Sequence, residues 1–257
     1  VALAEARRAE GRTAPNPPVG CAIVSADGRL LASGHTAAGG RPHAETEALE
    51  MAGDAAQGAT AYVTLEPCSH TGQTGPCSDA LVAAGIARVV IAMRDPDPRV
   101  NGRGIEALAE KGVALQIGVE AEAARRVMAG FLMRTSKARP LVTLKTATSL
   151  DGMIALEDGA KRWITGPLMR RAVHLLRSRS EGLLSAVGTV LADDPQFTCR
   201  LAGLHRDSPH RFILDASLRT PPSARLFEAA GDVGLTFFCR EDCDPQKACL
   251  LYTSDAA

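Results

Sequence analysis

The sequence of 257 residues has no surplus of either charge: 29 Lys and Arg stand against 29 Asp and Glu, a formal net charge of zero. A protein built to grip a polyanion carries a basic excess, so a dedicated nucleic-acid role is excluded. Aromatic residues are scarce too, at 4% with a single Trp, too few for a platform on which bases stack. No apolar run approaches the roughly 18 residues that span a bilayer, so no membrane partner is expected. The opening VALAEARRAEG has neither Met nor an apolar signal core. It reads as an amphipathic helix, with the true start expected upstream. Seven cysteines spread over a long chain do not make a small disulfide scaffold. They fit reduced thiols in a cytoplasm, some of them metal ligands.

What is present is an ordinary globular balance of 46% hydrophobic and 23% charged residues, enough to bury a core. At roughly 150 residues per domain, the length suggests one large domain or two small ones. Two apolar runs, 19–25 and 29–34, flank Ala26-Asp27-Gly28, and Asp-Gly between such runs predicts a hairpin. Pro42 leads into a helical repeat through Ala52. Strands are predicted at 60–65, 87–93 and 113–119, with helices at 78–85 and 105–111 and one long helix over 120–134. Strands alternating with helices imply an α/β domain of three layers around a mixed sheet, over 1–134. The stretch 135–140 reads as a linker. A new strand is expected at 141–149 (LVTLKTATS), then a helix at 167–178 and strands at 182–187 and 211–215, which make a second α/β unit.

The chemistry-bearing set is His43-Ala44-Glu45, then Pro67-Cys68, then Pro76-Cys77. One imidazole and two thiolates suit Zn²⁺, and three protein ligands leave a fourth position for water, as catalytic zinc sites require. Glu45, two residues beyond His43, is placed to move a proton without binding the metal. H-x-E followed by P-C-x-x-C is the signature of zinc nucleobase deaminases. Here eight residues separate Cys68 from Cys77, so that signature is matched in part. Cys239 and Cys243 have loose metal spacing with no second pair and read as ordinary thiols.

The wide cysteine loop is itself informative. LEPCSHTGQTGPC at 65–77, preceded by TAPNPPVGCAIV and GGRPHAETEAL, resembles the bifunctional deaminase/reductase family of riboflavin biosynthesis. PLVTLKTATSLDGMIA, KRWITGP and AVGTVLADDPQFTCR are similar to its second, reductase half. The resemblance implies a cytidine-deaminase-like domain followed by one like dihydrofolate reductase. It implies zinc-dependent hydrolysis of the 2-amino group of a diaminopyrimidinone carrying ribosylamino 5-phosphate, then reduction of the ribosyl to a ribityl chain by NADPH. It carries substrate contacts to Asn16 and His70 in the first half and to Arg177, Phe197 and Arg200 in the second. Cofactor contacts fall on Ala147, Trp163, Thr189 and Asp193. Asp95-Pro96-Asp97-Pro98 matches a turn bordering the substrate. Three positions depart from the family: Thr36 stands where many relatives have a His, Gln73 where a Lys or Arg is common, and Lys161 where Ser is common. Arg41 or Arg103 is expected to take over the phosphate contact at Gln73.

The last nine residues, 249–257, spell one reading frame of a sequencing-library adapter and are expected to be a scar. The second half, 141–248, is then expected to be cut short, so that the chain deaminates without reducing. The expected partner is a small phosphorylated pyrimidine in the cytoplasm, with self-association into a homo-oligomer left open. Two other readings remain open from the residues alone: a deaminase of another nucleoside or tRNA base, and a structural zinc module, for which His70 would be the fourth ligand.

Overall fold

The computed structural model describes residues 1–71, 75–155 and 163–254. The chain divides into two compact units, Val1–Thr143 and Leu144–Ala257.

The first unit opens with helix α1 (Ala2–Ala9) and the hairpin β1 (Gly20–Val24) and β2 (Leu30–His35). Helix α2 (Ala44–Ala52), strand β3 (Thr60–Val63), helix α3 (Cys77–Ala83) and strand β4 (Arg88–Ile91) follow. Helix α4 (Arg103–Glu110), strand β5 (Ala114–Ile117) and helices α5 (Ala121–Val127) and α6 (Ala129–Lys137) complete it. The sheet order is β2-β1-β3-β4-β5. β1 pairs antiparallel with β2 and β3, while β3, β4 and β5 run parallel, so the sheet is mixed as predicted.

Alternation along β2 shows why helices cover both faces. Ser33 Oγ and His35 Nδ1 reach Glu5 of α1 at 3.0 and 3.2 Å. Gly34, between them, faces α2, where a Cβ would come within 2.9 Å of the Ala44 carbonyl oxygen and the Ala48 nitrogen. A side chain at this position would push α2 off the sheet. The core between the layers is built from Cys21, Ile23, Val63, Leu65, Leu81, Val89, Ile91, Leu108 and Met128.

Three expectations are corrected here. The long helix over 120–134 is two helices, broken at Met128 (φ −96°, ψ 14°). The break lets the fully buried Met128 and the partly buried Phe131 and Leu132 reach one core. Helix α6 continues through Lys137, so the first half of the predicted linker is helical. The strand expected at 141–149 does not form. Its alternating pattern is present, but no described strand pairs with it, and Val142 and Leu144 are exposed. A strand without a ladder leaves its backbone to water.

The second unit holds helix α7 (Pro167–Ser178), strand β6 (Gly182–Ala186), helix α8 (Val187–Asp193), strands β7 (His210–Leu214) and β8 (Leu235–Phe238), and helix α9 (Pro245–Ser254). Its three strands are parallel in chain order. Pro167 at the start of α7 lacks only an N–H that the helix cannot use. A small core of Val190, Phe197, Ile213, Ala224 and Leu226 lies under the sheet. Beside it Arg211, with no exposed surface, donates to the carbonyls of Leu226, Val233, Ala229 and Gln196. The buried Asp215 accepts the N–H groups of Arg219 and Thr220 and the Thr220 hydroxyl, which closes the loop after β7.

Candidate metal centre

Two helix starts and one strand exit meet at the site. His43 is the residue before α2, and its side chain makes no capping bond to the helix, which leaves the imidazole to turn elsewhere. Cys68 follows Glu66-Pro67 past the end of β3, and Cys77 is the first residue of α3. His43 Nδ1 lies 3.3 Å from Cys77 Sγ and 3.7 Å from Cys68 Sγ. The three ligand atoms all lie within 4.8 Å of one another, and they form the one such cluster among the described residues. The Cys77 backbone N–H donates to Cys68 Sγ at 3.3 Å, and the Ser78 N–H to the Cys68 carbonyl at 3.1 Å. The first turn of α3 thus holds the Cys68 loop in place.

The electrostatics of the cluster follow from its crowding. Cys68 is held down to about 4, first by a hydrogen bond from the Cys77 thiol and then by one from His43, against the effect of burial. Cys77 is pushed up, first by that same bond and then by burial. His43 is raised, first by its bond to Cys68. One imidazole and two thiols gathered in this way fit a zinc ion by softness and number.

Glu45 lies in the first turn of α2 and is buried. Burial, the largest cause, pushes its carboxyl up to about 7. The next acidic residue of the turn, Glu47, instead accepts the His35 backbone N–H at 2.9 Å. Position on the helix thus separates a carboxyl at the cluster from one that braces β2.

The other predicted residues fall around this centre in different ways. Asn16 Nδ2 donates to the Gly40 carbonyl at 2.7 Å, which ties the 13–17 turn to the segment entering His43. His70 is half-buried, its Nδ1 has no hydrogen-bond partner among the described residues, and it lies near enough to Asp97 to help lower that carboxyl. It is not in the metal cluster, so the cluster has no fourth protein ligand among the described residues. Thr36 is a structural residue: its Oγ1 accepts the Val19 N–H at 3.1 Å and its own N–H donates to the Val19 carbonyl. Arg41 lies close enough to His43 to oppose its protonation. Arg103 is exposed at the start of α4. Gln73 and Lys161 lie outside the described residues.

In the second unit Arg177, Phe197 and Arg200 come together. The Arg177 guanidinium sits 6.0 Å from the Phe197 ring and donates to the Thr198 carbonyl at 3.0 Å. The Arg200 N–H donates to His174 Nδ1 at 3.2 Å. Burial first, then Arg177 and Arg200, lower the pKa of His174. Sequence reasoning missed His174, although it stands one turn before Arg177 on the same face of α7. The four residues assigned to the cofactor are not gathered in this way. Thr189 and Asp193 are exposed on α8, and Ala147 lies in the irregular 141–149 stretch. Trp163 is 80% exposed beneath Arg170. The cleft at the carboxyl ends of β6, β7 and β8, about 590 Å³, is lined by other residues, among them Ser217, Arg219, Cys239 and Arg240.

Residues 1–93 match the family described as the cytidine and deoxycytidylate deaminase zinc-binding region, and residues 140–249 match the RibD C-terminal domain. The riboflavin biosynthesis protein RibD of Escherichia coli is 44% identical over 96% of this chain and 69% of its own length. That of Aquifex aeolicus is 43% identical over 88% of this chain and 63% of its own length. The chain therefore spans about two thirds of these relatives. A diaminohydroxyphosphoribosylaminopyrimidine deaminase/5-amino-6-(5-phosphoribosylamino)uracil reductase from Thermotoga maritima superimposes with a TM-score of 0.85 at 37% identity. The match covers 99% of this chain and 76% of that one. RibD from Acinetobacter baumannii gives 0.82 at 40% identity over 97% and 70%. With a zinc-binding deaminase region and a reductase-half domain in the same order, the chain belongs to the RibD family of riboflavin-biosynthesis deaminase/reductases.

Proposed function

We propose that the first unit hydrolytically deaminates 2,5-diamino-6-ribosylamino-4(3H)-pyrimidinone 5′-phosphate in riboflavin biosynthesis. The observation that carries this reading is the convergence of His43, Cys68 and Cys77 beside the buried carboxyl of Glu45. These three side chains would hold the zinc, which supplies Lewis-acid activation of water when bound. Glu45 carries the proton. Its carboxyl oxygen takes a proton from the attacking water and gives it to the departing amino nitrogen, which leaves as ammonia. Its burial beside the three ligand side chains raises the carboxyl above the usual carboxylate range, which suits a group that must give back the proton it takes. Asn16 and His70, on segments bordering this centre, orient the pyrimidine.

In the second unit Arg177 and Arg200 hold the substrate phosphate. Arg177 Nε is buried without a hydrogen-bond partner among the described residues, and a phosphate oxygen would satisfy it. NADPH is the reductant that family membership implies for this half, with contacts assigned to Ala147, Trp163, Thr189 and Asp193. Those four residues do not share one pocket here, and no reduction step is derived through them. The reading places the protein in the cytoplasm, acting on a small phosphorylated pyrimidine, either as one chain or as a homo-oligomer. No helix among the described residues is long and apolar enough to cross a membrane.

The test is incubation of the zinc-loaded chain with the phosphorylated pyrimidine, with and without NADPH, followed by product mass. Deamination that needs the 5′-phosphate supports the proposal. Equal turnover of free cytidine or adenosine would refute it.

A further inference from the structure

We propose that Cys239 and Cys243 form a reversible disulfide, a thiol–disulfide exchange site on the wall of the strand-end cleft in the second unit. Their spacing in the sequence suggested unrelated thiols. The fold brings the two sulfurs to 3.4 Å, with the Cys243 thiol donating to Cys239.

The contact is built by the turn that carries it. The Cys243 N–H donates to the Arg240 carbonyl at 3.2 Å, which bends the chain between the two cysteines. On one side, the Arg240 N–H donates to the Ala216 carbonyl at 3.1 Å and pins the exit of β8 to the loop after β7. On the other, Asp244 Oδ1 accepts the Gln246 N–H at 2.9 Å where α9 begins. The sulfurs have to close from 3.4 Å to the roughly 2.05 Å of a disulfide. Cys239 is exposed and lines the cleft beside Ser217, Arg219 and Arg240, while Cys243 is half-buried behind it. An accessible thiol backed by a second one within contact is the arrangement of redox-responsive cysteine pairs. The pair is not a metal site, since it belongs to no cluster of three ligating side chains among the described residues.

The oxidant is a low-molecular-weight disulfide. The Cys239 thiolate attacks one of its sulfurs, and the other leaves as a thiolate that takes up a proton. Cys243 then gives its proton to solvent and attacks the Cys239 sulfur of the mixed disulfide, releasing the second small thiol. Two protein thiols become one disulfide, and one small disulfide becomes two thiols. This inference is independent of the proposed deaminase function.

The test uses the whole zinc-loaded chain with oxidised glutathione, followed by alkylation and peptide mass mapping. The expected result is a peptide holding Cys239 and Cys243 that loses both alkylation sites and two hydrogens and recovers them on reduction. Cys249, exposed on α9, should instead carry a glutathione adduct. Cys243→Ser should trap glutathione on Cys239. Three results would overturn the proposal: glutathione persisting on Cys239 in the unaltered chain, both thiols remaining alkylatable while Cys249 is modified, or a bond from either to Cys249.

Discussion

The carboxylate of Glu66 accepts the backbone N–H of Gly104 at 3.0 Å, and a Cβ on Gly104 would lie 1.9 Å from the Pro67 carbonyl oxygen. The start of α4 is thus laid directly on the two residues that precede Cys68. The same buried carboxylate also accepts N–H groups from Asp95, Gly102 and Ile105, so one side chain fastens the 95–105 segment to the loop that leads into Cys68.

Glu66→Gln should therefore weaken the first unit. The amide keeps one acceptor oxygen but sets an NH₂ against two buried N–H groups. A loss of about 1–3 kcal/mol in urea unfolding is expected. An unchanged midpoint would show that the clamp adds little.

Removal of metal should destabilise the first unit and leave the second untouched. With free zinc a thousandfold above its dissociation constant, the bound ion adds about 4 kcal/mol. Cys68→Ser and Cys77→Ser should each lose zinc by metal analysis, and chelator should have no further effect on them. Full zinc content in Cys68→Ser would rule this ligand set out. Zinc should also leave as acid protonates the imidazole and the thiolates.

Asp95 gives a pH signature. Burial, with Asp97 and Glu66 as further contributors, raises its carboxyl to about 6, although the Asp97 N–H donates to it at 2.8 Å. An acid raised on folding binds more protons folded than unfolded between its unfolded value near 4 and about 6. Its ionisation therefore costs stability as pH rises through that window, and the cost is fully present above it. Asp95→Asn should be more stable than the unaltered chain at pH 7.5, by at most about 2–3 kcal/mol. The difference should vanish below about pH 4. Unfolding curves of the two proteins at several pH values check this, and a difference that does not vary with pH would contradict it.

In the second unit Arg211→Met keeps much of the volume but strips four backbone carbonyls of their donor. A loss of about 3 kcal/mol is expected. Urea unfolding of the two proteins followed by far-ultraviolet circular dichroism checks this, and an unchanged midpoint would contradict it.

The deaminase half was largely legible in the sequence, because its elements are local. Asp27-Gly28 fixes the hairpin, Pro42 and His43 open α2, and of the three candidate zinc ligands His43 and Cys77 sit at helix starts that the pattern marks, with Cys68 in the loop after β3. The break at Met128 was not legible, since 120–134 is helical by period and only tertiary burial of Met128 divides it. The second unit was harder. The 141–149 segment has the alternation of a strand, but pairing is a property of neighbours. α8 follows β6 without a break, and β8 is a strand of only four residues. The Cys239–Cys243 contact depends on a turn that spacing does not reveal, and His174 becomes notable only when Arg200 folds against it.

Glu45 is proposed to carry the proton at a centre held by His43, Cys68 and Cys77. The direct measurement pairs zinc content with ammonia release from the phosphorylated pyrimidine in Glu45→Gln. Zinc near one per chain, an intact fold and ammonia release reduced by about 10²–10⁴ are predicted. A zinc-loaded variant that keeps more than about a tenth of the unaltered rate would show that another group moves the proton.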